Sequence, residues 1–140
     1  MFKRLGASAI LFVGSAEACS CLQPGPNDHL RDLDGASAIF EGTVSFTTHA
    51  DDLDGGRLRK TVFDVTERIM GPASPLLEVF HLAPDGGNCG LSLTPGTTMV
   101  IVAYEDRTTG RLHTNNCASP GSPLADYRAA VANRPTNQKR

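Results

Sequence analysis

No stretch of this 140-residue chain holds enough consecutive apolar residues to cross a bilayer, which takes about 20. Charge of one sign is scarce too. With 13 basic and 15 acidic residues the formal net charge is −2. That balance excludes the basic footprint of a nucleic-acid binder, and no basic amphipathic stretch marks a membrane surface. Paired C-x₂-C spacings and an H-x-x-x-H helix motif are both missing, so no resident zinc site is expected. His29, His49, His81 and His113 stand apart from one another. Gly90-Leu91-Ser92 lacks the G-x-S-x-G frame of a hydrolase elbow, and no glycine-rich phosphate loop follows a strand. The Asp51, Asp52, Asp54 run has no closing glutamate for calcium. Without a nucleophile–base pair, a metal or a cofactor motif, the chain is expected to be no enzyme and to need no cofactor.

The N-terminus, by contrast, is informative. Lys3 and Arg4 precede the apolar run "LGASAILFV", and "AEA" follows it at Ala16 to Ala18. Basic head, short apolar core and small residues at the cut are the marks of a secretory signal peptide. Residues 1–18 are therefore expected to be removed after Ala18, giving a secreted or periplasmic product that begins at Cys19. The leader takes Lys3, Arg4 and Glu17 with it and leaves 122 residues with 11 basic and 14 acidic groups. That is one domain (19–133), with residues 134–140 expected to form a disordered tail. All four cysteines, Cys19, Cys21, Cys89 and Cys117, lie in this mature part. Export and an even count point to disulfides. Four cysteines allow three pairings. A Cys19–Cys21 bridge would close a very tight ring around Ser20, and the other two pairings both pin the N-terminal strand to distant chain.

Along the mature chain the pattern is mostly β. In "ASAIFEGTVSF" Ala38, Phe40, Val44 and Phe46 fall on one face, with Gly42 at an inner position that suggests a bulge or close approach. Thr48 to Lys60 reads as a polar hairpin loop. In "TVFDVTERIMG", Phe63, Val65 and Ile69 point inward; "LLEVFHL" follows as a third strand. "TTMVIVAY" is nearly all apolar and β-branched and is expected to be the central strand, buried on both faces. "RLHTNN" makes an outer strand ending at Cys117. Asn27 is placed to cap a short helix "DHLRDL"; Ser122 and Pro123 open a terminal helix with Leu124, Tyr127 and Val131 inward. Five strands with short connections and flanking helices predict a small closed or partly open β-barrel.

The order C-x-C at the cut site, "AIFEGTV", "FDVTERIMGP", "NCG" and "GTTMVIVAYEDRTTGRLHTNNC" resembles the N-terminal, netrin-like domain of the tissue inhibitors of metalloproteinases, over Cys19 to about Leu124. The resemblance implies an OB-fold five-stranded barrel with short flanking helices, and disulfides Cys19–Cys89 and Cys21–Cys117. It implies that the α-amine and carbonyl of Cys19 chelate the catalytic zinc of a partner metalloprotease, with no metal of the chain's own. Ser20 matches the position entering the protease's specificity pocket; Cys21, Gly87 and Asn88 match neighbouring contact positions. The function so implied is a secreted, monomeric inhibitor of zinc metalloendopeptidases. The alternative is a non-inhibitory netrin-like binding module of the cell envelope, lipid-anchored at Cys19 if that residue is acylated.

Overall fold

A computed structural model of the chain describes residues 21, 25–50, 55–84 and 89–135. Five strands close into one barrel in the spatial order β1-β2-β3-β5-β4, the order of an OB fold. They are β1 (Ala38–His49), β2 (Leu58–Met70), β3 (Leu76–Leu82), β4 (Thr98–Glu105) and β5 (Leu112–His113). Helix α1 (Asp28–Gly35) precedes the barrel and α2 (Leu124–Asn133) follows it. All strand pairs are antiparallel except β3 with β5. The protein is thus mainly β, as the strand pattern predicts.

Alternation along the strands builds two apolar layers. Phe40, Val44, Phe63, Val79 and Ile101 fill the barrel. The opposite faces of β1 and β4 send Ile39 and Val102, partners in the ladder, toward Leu33 of α1 and Tyr127 of α2. The middle of β4, Ile101 to Ala103, is therefore wholly buried on both faces. Leu124 and Tyr127 of α2 are buried, and Val131 packs against the same layer, as the helical stripe predicts. A bidentate contact between Arg128 and Glu67 ties α2 to β2 and holds the Glu67 carboxyl below its usual range.

Gly42 is both bulge and close approach. The β1–β2 register shifts between Glu41 and Gly42. A Cβ added there would lie 3.0 Å from Phe40 Cε2 and 3.1 Å from Phe63 Cβ.

Five local expectations need correction. Phe46 points outward and is 50% exposed. A further register shift between Val44 and Phe46 is the cause, since one extra residue flips the side-chain phase beyond it. Thr47 takes the inner place instead, opposite the fully buried Thr61. The hairpin loop is also shorter than expected, because Thr48 pairs with Lys60 and His49 with Arg59. The polar composition at these positions hides the strand from a polarity scan. Helix α1 has no side-chain cap from Asn27; the Asp28 carboxylate instead accepts from Gly25 N–H at 2.9 Å. Helix α2 begins one residue late, with Pro123 at the cap, and Ser122 N–H donates to Tyr127 Oη at 3.0 Å. β5 is only two residues long.

Candidate functional site

The short β5 leaves part of β4 without a strand partner, and the segment after it supplies the substitute. Thr114 Oγ1 donates to Val102 O at 2.8 Å, and Val102 N–H donates to Ser119 Oγ at 3.0 Å. The Ser119 hydroxyl in turn lies 2.7 Å from Thr114 Oγ1. Both polar side chains are buried, so the backbone groups of Val102 are satisfied although no strand reaches them. The turn between them is fixed from within. Asn115 Oδ1 accepts from the N–H groups of Cys117 at 2.9 Å and Ala118 at 3.0 Å, an Asx-type turn.

On this braced turn Cys117 is disulfide-bonded to Cys21, with the Cα atoms 5.2 Å apart, within the ordinary range for a bridge. The pairing Cys21–Cys117 implied by the family resemblance is therefore found. Cys89 arrives beside it from the loop after β3. Its sulfur lies 4.0 Å from Cys117 Sγ, and its carbonyl accepts from Asn116 N–H at 3.0 Å. Cys89 is itself disulfide-bonded. Three cysteines from distant chain positions thus share one end of the barrel, with Cys21 and Cys117 exposed. Of the other site positions, Cys19, Ser20, Gly87 and Asn88 lie outside the described residues.

The helices support this edge. Tyr127 Oη donates to Asp32 Oδ2 at 2.6 Å, joining α2 to α1 beneath it. Burial, and then the carboxylate it faces, push the Tyr127 phenol up to about 12. Gly121 passes so close that a Cβ there would sit 2.7 Å from both Tyr127 Oη and Val102 Cγ2. Beside the disulfide is an open cleft of about 300 Å³, bounded by Cys21, Arg31, Asp32, Tyr104 and Ala118. Tyr104 is 40% exposed; partial burial and the nearby Asp32 charge raise its phenol.

No group of three metal-ligating side chains forms among the described residues. His81 is a core residue, 2% exposed. Its Nδ1 faces Leu82 O at 3.2 Å and so carries the proton, leaving Nε2 to accept from Thr61 Oγ1 at 2.8 Å. Thr47 Oγ1, 2.7 Å from Thr61 Oγ1, extends the chain of hydroxyls. Burial pulls the His81 pKa below its ordinary value. His113 lies against Phe80, with ring centroids 5.6 Å apart. A cleft of about 470 Å³ between these two histidines, Asp106 and Arg111 reaches Cys89. No helix among the described residues is long and apolar enough to cross a membrane.

The support for this edge was only partly visible in the sequence. "NNC" marks a turn, but nothing local pairs Thr114 with Ser119, or Asp32 with Tyr127 ninety-five residues away. Compared with protein-family models and with curated proteins, the chain matches none. Fold and site together define a small OB-type barrel with an exposed Cys21–Cys117 disulfide at one end.

Proposed function

We propose that the mature chain is a secreted or periplasmic inhibitor of zinc metalloendopeptidases, akin to the tissue inhibitors of metalloproteinases. It acts through the free α-amine and the carbonyl of Cys19. An amine and a carbonyl on one residue close a five-membered chelate ring, which takes the coordination positions of the catalytic water. An α-amine titrates at about 7.7–8.0, so its neutral, ligating form is accessible near neutral pH. The small Ser20 side chain enters the specificity pocket, and Gly87 and Asn88 flank it.

One observation supports this reading most. Cys21, two residues beyond the proposed N-terminus, is bridged to Cys117 on a turn fastened to β4, and Cys89 lies 4.0 Å from that bridge. A Cys19–Cys89 pairing at the same end would hold the leading residue rigid and reduce the entropy lost on docking. Oxidation also keeps the Cys19 sulfur from competing for the metal.

The test is a zinc-endopeptidase assay with two forms of the secreted protein, one beginning at Cys19 and one carrying an extra alanine before it. Inhibition by the first alone is the expected result. Equal inhibition by both forms rules out amine chelation. An intact mass showing an acylated Cys19 leaves instead a lipid-anchored, non-inhibitory envelope module, because an acylated amine cannot ligate zinc.

A further inference from the structure

Among the described residues, the buried polar side chains Thr61 and His81 satisfy one another, as do Thr114 and Ser119. Asp32 is the one charged member of that buried set, at 7% exposure, and no cation pairs with it. The guanidinium of its neighbour Arg31 reaches Asp28 at 3.2 Å, and Lys60, Arg128 and Arg134 pair with Glu78, Glu67 and Asp34. The Asp32 carboxylate accepts a single side-chain hydrogen bond, at Oδ2 from Tyr127 Oη at 2.6 Å. A carboxylate has about four acceptor sites, and burying its charge is costly unless a cation or further donors answer it. Asp32 is not sealed in the core, however. It lines the cleft of about 300 Å³ beside the Cys21–Cys117 disulfide, together with the half-exposed Tyr104. Burial, and then the Asp32 charge, raise the Tyr104 phenol, so the two groups are within electrostatic reach. A second cleft of about 340 Å³ also includes Arg31, Asp32, Cys117 and Ala118, and adds Asp28, Asp126 and His29. With Arg31 engaged by Asp28, carboxylates dominate the charge along both clefts.

We propose that the cleft beside the disulfide binds a primary alkylammonium group, its N–H donors on the unused Asp32 oxygen and its alkyl stem against Tyr104. The donor set selects this class. A buried carboxylate excludes anions. No group of three metal-ligating side chains forms among the described residues, so a metal ion would find too few ligands. A guanidinium binds best as a two-pronged fork on both carboxylate oxygens, and Tyr127 already holds Oδ2. An ammonium is a compact charge that needs one such acceptor and can give its other protons to water. An aromatic ring beside it adds attraction through its face. Neither Cys19 nor a protease is needed for such binding. A protonated primary amine on an alkyl chain occurs both as a free small molecule and as a lysine side chain.

The experiment is an NMR titration of the ¹⁵N-labelled secreted protein at pH 7, where alkylamines are charged. The probes are butylammonium, butyltrimethylammonium, butyrate and N-acetyl-lysine N-methylamide. Butylammonium should move the amide signals of Asp32, Tyr104 and Ala118 saturably in the millimolar range. Butyltrimethylammonium, which has no N–H, and butyrate should not. Tighter binding of the lysine derivative assigns the site to a lysine on a polypeptide; equal or tighter binding of butylammonium assigns it to a free amine. Asp32→Asn keeps an acceptor for Tyr127 but loses the charge, and should weaken butylammonium about tenfold or more. Tyr104→Ala changes a side chain outside the barrel core and should weaken it about two- to fivefold. Should circular dichroism show Asp32→Asn unfolded, the wild-type probe series and Tyr104→Ala decide. Absence of a saturable shift with butylammonium, equal shifts with butyrate or the trimethyl probe, or unchanged affinity in folded Asp32→Asn overturns the proposal.

Discussion

Removing the Cys21–Cys117 bridge is the perturbation whose size the structure sets most directly. The two cysteines are 96 residues apart, so the bridge constrains almost the whole described chain when it unfolds. In the chain-entropy model a loop of that length is worth about 4–5 kcal/mol. Both residues are exposed, so changing them to alanine forfeits little packing, and the loop entropy dominates. A small domain has roughly 5–15 kcal/mol of stability in all, so the Cys21→Ala/Cys117→Ala protein should remain folded at 25 °C but with a much lower midpoint. At roughly 4 °C per kcal/mol for a domain of this size, Tm falls by about 15–20 °C. The chain has no tryptophan, so guanidinium unfolding is followed by far-ultraviolet circular dichroism. The m-value should rise as well, because an uncrosslinked unfolded chain exposes more surface. A loss under about 1 kcal/mol with an unchanged m-value would refute the reasoning: the bridge would then not be restricting the unfolded state.

Three further outcomes follow from the packing. Tyr127 has its phenol pushed up to about 12 from an ordinary value of 10, so the folded state keeps a proton that the unfolded chain loses. That stabilisation, about 2–3 kcal/mol, is complete below pH 10 and disappears as pH rises from 10 through 12; urea titrations should show the fall in the native protein and a flatter profile in Tyr127→Phe. His81 is shifted the other way, by burial, so its contribution is complete above pH 6.5 and declines as pH falls below that value through the lowered folded-state pKa. Acid unfolding of His81→Gln should therefore lack this part of the slope. Phe40→Ala, in the barrel core, should cost about 3–5 kcal/mol, whereas Phe46→Ser, on the outside after the bulge, should change the unfolding free energy by less than about 0.5 kcal/mol.

The contrast between these two phenylalanines shows where the sequence is legible. Period-2 alternation located β1, because a half-buried strand must alternate, and a nearly continuous apolar, β-branched run located β4, whose middle is buried on both faces. Bulges are decided by pairing with β2, so the phase beyond Ser45 was invisible from β1 alone. The start of β2 was hidden because its half-buried Arg59 and Lys60 resemble loop composition. Helix α1 starts after Asn27 as expected, whereas α2 starts one residue later than the Ser122-Pro123 rule places it. At the candidate site, the bridge between Cys21 and Cys117 was expected only through family resemblance; spacing alone left two pairings open. The Thr114–Ser119 brace is a tertiary substitute for a missing strand, and no single-strand pattern encodes it.

The central claim concerns one nitrogen on one metal, and metal spectroscopy observes that contact directly. A zinc endopeptidase with cobalt in place of zinc has visible d–d bands that respond to the ligands on the metal. Titration with the secreted protein beginning at Cys19 should shift those bands at the stoichiometry of inhibition, and N-terminal acetylation should abolish the shift. Bands that stay unchanged at saturating protein, or move equally with the acetylated form, would contradict the account.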